Sequence, residues 1–190
     1  NGGMGCDIEV SGEVPVEVHM VPELTILDAE TECCYGESVK VDMVMANEGG
    51  WSVTYTDGIQ RFTNAHDYLV ITPTQTGTKT YTISRIANAY CAKELDYQFD
   101  VTTYQIPQLT VQLPTEKVCE PDAIEIGLET AGSLPMLLKY TLNGTPVEKE
   151  INAANEAIVV DETSYKDVNN FMFETITSGQ KCQATINQTY

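Results

Sequence analysis

The chain has 190 residues, of which 42% are hydrophobic and 20% are charged, a composition typical of a globular rather than a disordered protein. Its formal net charge of −18 opposes binding to nucleic-acid phosphates or to an anionic membrane surface, because like charges repel. No apolar run approaches the roughly 18 residues of a membrane span. We therefore expect no membrane insertion by this segment, and any signal or anchor to have been removed or to lie outside it.

Apolar and polar side chains alternate over residues 8–20, and this period of two predicts a half-buried strand. Later stretches rich in Tyr, Thr, Val and Ile, separated by Gly, Asp-Gly and Pro turns, predict further strands. In the first half these lie near 38–46, 51–56, 59–63, 67–72, 78–86 and 94–103. In the second half they lie near 108–113, 123–130, 136–142, 146–151, 156–161, 169–176 and 183–189.

The second half contains a strong hairpin signal, the pair Asn143-Gly144. No segment predicts a helix. Residues 146–157 contain helix-forming residue types, but their apolar residues are too few for a helical period. The chain is therefore predicted to be all-β.

The cysteines mark an internal repeat. Four residues recur after a displacement of 85 (91−6, 107−22, 109−24 and 119−34): Cys6, Pro22, Leu24 and Cys34 reappear as Cys91, Pro107, Leu109 and Cys119. After a few inserted residues the displacement grows to 91, and Cys91 corresponds to Cys182 (182−91). About seven short antiparallel strands in each unit are the pattern of an immunoglobulin-like sandwich.

We therefore predict two tandem immunoglobulin-like β-sandwich domains preceded by an orphan N-terminal strand. Residues 1–21 would form the closing strand of a preceding, absent repeat. The first domain would span residues 22–106 and the second residues 107–190. Residues 104–108 (YQIPQ) would be a short linker, which restricts bending between the domains.

Six cysteines without a CxxC pair, together with two histidines, indicate disulfides in an oxidising compartment rather than a zinc site. The predicted location is therefore secreted or at the cell surface. The structural disulfide candidates are the four repeated cysteines, Cys34, Cys91, Cys119 and Cys182. The spare cysteines are Cys6 and Cys33.

Two pairings of the repeated cysteines remain open. Equivalent positions favour one bridge inside each domain, Cys34 with Cys91 and Cys119 with Cys182, closing loops of 57 and 63 residues (91−34 and 182−119). A plain sandwich, however, places Cys34 and Cys91 at opposite ends, beyond the roughly 7 Å Cα separation that a disulfide tolerates. The alternative is a bridge from Cys34 to Cys182 across the domain junction.

The chain contains no recognisable catalytic motif. His19 and His66 lie in no GxSxG or HExxH pattern, so we predict no enzyme activity, catalytic residue, cofactor or metal. Acidic residues at two equivalent domain ends are candidates for a calcium site, but solvated acidic turns explain them better. These residues are Asp28, Glu30 and Glu32 in the first unit, and Glu120 and Asp122 in the second.

Two further features have structural explanations. Trp51 is the single tryptophan, and Met136 occupies its position in the second unit, as expected for a core site rather than a sugar-stacking platform. Asn143 and Asn187 begin N-glycosylation sequons, which matter only in a eukaryotic protein. At Asn143 the hairpin turn already explains the Asn-Gly pair.

Residues 34–91 carry the motifs CYGESVKV, WSVTYTDG and YLVITPTQTGTKTYTIS before a closing Cys. In these motifs the segment resembles the tandem immunoglobulin-like repeats of large secreted and cell-surface proteins of Bacteroidetes-type bacteria. The second unit keeps both cysteines and Tyr140-Thr141 but lacks the tryptophan and the Gly-Glu-Ser. The resemblance implies an exported multidomain chain that acts without catalysis as a stalk, adhesin or surface-fibre segment.

Two rival interpretations have other partners. The Cys start and the tyrosine strand also resemble the lumenal immunoglobulin-like repeats of a pore-membrane nucleoporin, and a third interpretation is a carbohydrate-binding module attached to an enzyme. The expected partners of this chain are neighbouring repeats of the same chain, another copy through the strand at 8–20, and an unidentified protein or glycan ligand. No nucleic-acid partner is expected.

Overall fold

A computed structural model of the chain describes residues 12–115, 123–160, 168–180 and 182–190. Within these ranges the ordered elements are β-strands, and no helix occurs that could cross a membrane. The strands divide into two successive sets, each with its own pair of sheets.

The first set contains eight strands within residues 12–107. They are β1 (Glu23–Ala29), β2 (Glu32–Cys34), β3 (Val39–Ala46), β4 (Trp51–Tyr55), β5 (Gly58–Phe62), β6 (His66–Ile71), β7 (Gly77–Ala87) and β8 (Ala92–Tyr104). One sheet has the order β1-β3-β6 and the other the order β2-β8-β7-β4-β5. All neighbours are antiparallel except β2 and β8, which run parallel.

The two sheets face each other across a core of alternating side chains. In β3 every second residue is buried, and β4, β6 and β7 contribute their inward residues in the same way because a strand has a period of two. The largest fully buried side chains include Tyr81, Met43 and Leu69.

The second set repeats this order. Its strands are β9 (Gln108–Gln112), β10 (Ile124–Ala131), β11 (Met136–Leu142), β12 (Thr145–Ile151), β13 (Asn155–Val160), β14 (Phe171–Ser178) and β15 (Gln183–Thr189). The sheets are β9-β10-β13 and β15-β14-β11-β12, which correspond one to one with β1-β3-β6 and β8-β7-β4-β5. A second core around Phe173, Leu138 and Ile126 fills the space between them.

This strand order confirms the predicted fold class of two tandem immunoglobulin-like sandwiches. Each predicted strand between residues 38 and 189 is present, with bounds shifted by at most a few residues. The segment 146–157 forms β12 and the start of β13 rather than a helix, as its sparse apolar residues indicated. The exact domain boundaries at 22–106 and 107–190 stay a prediction.

The N-terminal segment differs from the prediction. Of the strand predicted over 8–20, residues 8–11 lie outside the described residues, and residues 12–22 form no strand. Their valines are exposed, for example Val14 at 83% and Val18 at 87%. The alternation is real, but a strand also needs a partner for its backbone hydrogen bonds, and no described strand pairs with this segment.

β1 and β2 are two strands that the predicted set does not contain. The repeat register matches β1 to the predicted strand 108–113. β2 has three residues, too few for a period to be recognised. Its identity depends on its parallel pairing with residues 70 positions later, which no local pattern reports.

The predicted core role of Trp51 is confirmed. Trp51 is 7% exposed, its indole N–H donates to the carbonyls of Ala46 and Asn47 at 3.2 and 3.3 Å, and the equivalent Met136 is 2% exposed. The hairpin predicted at Asn143-Gly144 is also present, joining β11 to β12 with positive φ values of 53° and 81°.

Replacing Ile83 by Ala tests the first core. Ile83 is fully buried in β7, so I83A should lower the free energy of unfolding by about 2 to 5 kcal/mol through lost burial and a cavity. The matched control is Ile59→Ala, because Ile59 is 64% exposed and should change stability by less than about 0.5 kcal/mol. Denaturant titration followed by fluorescence of the single Trp51 reports on this domain. Equal effects of the two variants would contradict the assigned core.

Candidate functional site: the disulfide-bonded domain junction

β2 is placed at the end of the first domain by its parallel pairing with β8. Cys34 lies opposite Tyr104, the last residue of β8, and the N–H of Tyr35 donates to the Tyr104 carbonyl at 2.8 Å. The Tyr104 hydroxyl donates to Glu32 at 3.1 Å. This hydrogen bond raises the pKa of Tyr104, because the carboxylate accepts a hydrogen bond from the neutral phenol and so favours the neutral form. Cys34 therefore lies where the chain leaves the first domain.

The adjacent cysteines of β2 point in opposite directions. Cys33 is buried in the first core, with its Sγ 3.8 Å from Thr103 Oγ1, whereas Cys34 is partly exposed. Successive side chains of a strand alternate between faces, so only one of the two can reach another domain. The prediction that Cys33 is spare agrees with its free thiol, and Cys6 lies outside the described residues.

The turn after β2 explains the Cys-x-Gly-Glu sequence. The N–H of Glu37 donates to the Cys34 carbonyl at 2.9 Å, and the Glu37 carboxylate accepts from the Cys34 N–H at 3.0 Å. Gly36 has a φ of +89°, a conformation that a residue with a Cβ adopts at a cost. Gly36 and Glu37 hold the Cys34 backbone in a fixed turn.

Cys182 reaches the junction from the second domain. It lies in the turn between β14 and β15, where the Ser178 N–H donates to its carbonyl at 2.8 Å, and its side chain is fully buried. Gly179 in the same turn donates to the Pro135 carbonyl at 2.8 Å. This hydrogen bond joins the β14–β15 turn to the loop that precedes β11.

The linker at 104–108 also packs on the loop before β11. A Cβ added at Gly132 would lie 3.2 Å from Pro107 Cα and 3.2 Å from the Met136 side chain, so the linker backbone approaches this glycine closely. An open groove follows the linker and is lined by Tyr35, Gln75, Thr76, Gln105, Ile106 and Gln108. The linker is therefore held by the second domain on one side.

Cys34 and Cys182 form a disulfide across this junction. The Cα atoms are 5.6 Å apart, in the usual range for a native bridge. The two residues are 148 positions apart in sequence. The bond thus joins the exit end of the first sandwich to the entry end of the second.

The predicted intradomain pairing is wrong, and the alternative pairing across the junction is the one that forms. Cys91 precedes β8, whereas Cys34 pairs with the last residue of that strand of 13 residues. At about 3.3 Å per residue these positions are about 40 Å apart, far beyond the reach of a disulfide. Cys91 has a free thiol, Cys182 is bonded elsewhere, and Cys119 lies outside the described residues.

The acidic residues considered for calcium have partners within the protein. Glu30 accepts a hydrogen bond from the Lys40 N–H at 2.8 Å, Asp28 accepts one from the Ala29 N–H at 2.9 Å, and Glu32 accepts the Tyr104 hydroxyl. The described residues contain no group of three or more potential metal ligands. Residues 120 and 122 lie outside them.

The histidines lie at separate places. The His66 Nε2 is 2.6 Å from Asp42 on the neighbouring strand β3, which makes an exposed cross-strand pair. The His19 ring stacks on Tyr90, with 3.6 Å between ring centroids, and its Nδ1 lies 3.4 Å from Glu48.

No protein-family model matches the sequence, and no curated protein matches it either. Similar solved structures include a chimeric titin Z1Z2 carrying a KLER peptide from decorin, with 12% identity, 91% of this chain and 96% of that chain covered, and a TM-score of 0.35. The human OSCAR ligand-binding domain has 13% identity, coverage of 92% and 99%, and a TM-score of 0.36. A protein of unknown function from Porphyromonas gingivalis W83 has 12% identity, coverage of 88% and 98%, and a TM-score of 0.28. Values this low carry no argument about function, and the fold assignment depends on the strand order.

Thiol mapping tests the bridge and the two free cysteines. Non-reducing peptide mapping should show Cys34 linked to Cys182. Alkylation of the native protein should modify the partly exposed Cys91 before Cys33, because Cys33 is buried in the first core. A Cys34–Cys91 peptide, or faster alkylation of Cys33, would contradict the geometry.

Gly36→Ala tests the turn that presents Cys34. The alanine Cβ disfavours the φ of +89° by about 1 to 2 kcal/mol, so re-formation of the bridge after reduction should be less favourable by a similar amount. The control is Gly12→Ala, where φ is not positive and no atom lies within 4 Å of an added Cβ. Thiol–disulfide equilibria in glutathione buffer measure both, and identical equilibria would disprove a role for the turn.

Proposed function

We propose that the chain is a non-catalytic extracellular repeat segment, part of a stalk, adhesin or surface fibre, in which disulfides between domains set the geometry. The observation that carries this proposal is the bond between Cys34 and Cys182. A bridge inside one domain would stabilise that domain alone. A bridge between two domains fixes how one domain follows the next.

The magnitude of the effect depends on the state of the domains. On the chain-entropy model, a loop of 148 residues corresponds to about 5 kcal/mol when the whole loop unfolds. While both cores remain folded, the bond instead acts as a second covalent connection beside the linker. Two attachment points between rigid bodies restrict hinge bending, which a single short linker permits.

The proposed secreted or cell-surface location rests on the disulfide. Structural disulfides persist in secreted and surface proteins and are rare where thiols are kept reduced. The resemblance of residues 34–91 to tandem immunoglobulin-like repeats of Bacteroidetes-type surface proteins agrees with this location. The formal net charge of −18 favours solubility of the chain outside the cell.

The rival functions receive less support. Trp51, the obvious sugar-stacking residue, is in the core and is not available to a glycan. The Asn143 side chain donates to Asn169 and accepts from the Asn170 N–H, both at 3.0 Å, so its amide is already engaged with the residues before β14. The burial of Trp51 disfavours a carbohydrate-binding module, and the engaged amide of Asn143 disfavours a role for that sequon.

The partners we propose are neighbouring repeats of the same chain. A second copy is a further proposed partner through the segment 8–20, in which the valines at 14, 16 and 18 are 83%, 79% and 87% exposed. A segment of alternating apolar residues without a sheet partner is suited to strand addition on an exposed edge. A protein or glycan ligand of the array is not identified.

The double variant Cys34→Ser/Cys182→Ala tests the mechanical role. Small-angle scattering should show a broader distribution of distances between the domains than in the oxidised protein, because one of the two connections is lost. Circular dichroism should retain the β-sheet signal, since each core is separate.

The control for this comparison is Cys91→Ser. It removes a cysteine that forms no bridge, so its scattering profile should match that of the parent chain. If the double variant also scattered like the parent, the bridge would not control the geometry, and the spacer function would lose its basis.

A further inference from the structure

Cys91 occupies the position in the first domain that Cys182 occupies in the second. Each cysteine closes the turn between the last two strands of its sandwich. The same backbone bond forms in both turns: the Asn88 N–H donates to the Cys91 carbonyl at 2.9 Å, and the Ser178 N–H donates to the Cys182 carbonyl at 2.8 Å. Cys182 is bonded to the preceding domain, whereas Cys91 is free.

The surroundings of Cys91 also match those of a junction. Its Sγ lies 3.7 Å from the carbonyl oxygen of His19. In the repeat register His19 corresponds to Tyr104 (104−19 = 85), and Tyr104 is the residue beside which Cys34 lies in the parallel pair of β2 and β8. Cys34 lies beside Tyr104. A cysteine of another repeat that lay beside His19 in the same way would be close to the Cys91 thiol.

The segment before Pro22 is held in the place of a linker. Asn88 donates to the Met20 carbonyl at 3.2 Å, and Asn47 donates to the Val21 carbonyl at 2.9 Å. Asn47 corresponds in the register to Gly132 (132−47 = 85), and Gly132 is the residue that the linker at 104–108 contacts through Pro107. Stacking of His19 on Tyr90 adds a further contact at the same end. The entry end of the first domain is thus arranged like that of the second.

We propose that Cys91 is an attachment site for a preceding repeat, whose first-turn cysteine, equivalent to Cys34 in its Cys-x-Gly-Glu turn, forms a disulfide with it. The bond Cys34–Cys182 is then one step of a ladder in which each repeat is bonded to the next. By the same register, Cys119 would form the corresponding disulfide with a following repeat. The inference deepens the proposed spacer function and rests on it for the existence of adjoining repeats.

The bond forms by exchange with an external disulfide of low molecular weight. Two thiols lose two protons and two electrons to become one disulfide, and the oxidant, for example oxidised glutathione, takes them up and is released as two thiols. The chain itself supplies the proximity of the two sulfurs.

A three-repeat chain tests the proposal. A copy of residues 22–106 replaces residues 1–21 directly before Pro22, and this copy carries Cys91→Ser, so that a single Cys91 remains. After folding in glutathione buffer, the protein is digested with trypsin without reduction. Trypsin releases the two Cys34 residues in peptides of different mass, because the second one is joined to residues 94–106 of the copy.

The expected result is the Cys34 of the added repeat linked to Cys91, together with the second Cys34 linked to Cys182. In the same chain with Cys34→Ser in the added repeat, Cys91 should become reactive to alkylation. Free Cys91 in molecules that contain the Cys34–Cys182 bond would overturn the ladder while leaving the spacer function in place. Loss of both bridges would contradict the spacer function as well.

Discussion

The parallel pairing of β2 with the last residues of β8 fixes the position of Cys34 at the domain junction. Three residues of β2 pair with Thr102, Thr103 and Tyr104 and so lie at the exit end of the first sandwich. Alternation along β2 then assigns Cys33 to the core and Cys34 to the outside. Without this short strand, Cys34 would have no fixed position relative to the next domain, and the bridge to Cys182 would lose its geometry.

The bridge changes what the duplicated units can do. Two sandwiches with separate cores, joined by a short linker alone, would move relative to each other. The disulfide adds a second connection, and the contact of Pro107 with Gly132 holds the linker between them. The two domains are therefore connected at two points, the linker and the disulfide.

Much of the fold followed from local patterns in the sequence. Alternating apolar residues, Asn143-Gly144 and the 85-residue register located the strands and the two cores, because these signals act over a few residues or repeat at a fixed spacing. The strand predicted at 8–20 did not form over its described part, since alternation gives a face to bury but no partner for the backbone.

The site was less predictable. The equivalence of Cys34 with Cys119 and of Cys91 with Cys182 suggested bridges within each unit, yet the same equivalence holds for a bridge from each unit to the next. Only the geometric objection that the two cysteines of a unit lie at opposite ends separated these pairings, and it depends on β2, whose three residues give no local signal. The Cys-x-Gly-Glu motif was visible, but its meaning as a turn that presents Cys34 required the hydrogen bonds of Glu37.

Residual dipolar couplings measured on the oxidised protein test whether the bridge makes the two domains one oriented unit. We expect couplings from both domains to fit a single alignment tensor, and reduction of the disulfide to give each domain its own tensor. Two different tensors in the oxidised protein would show that the bridge does not orient the domains.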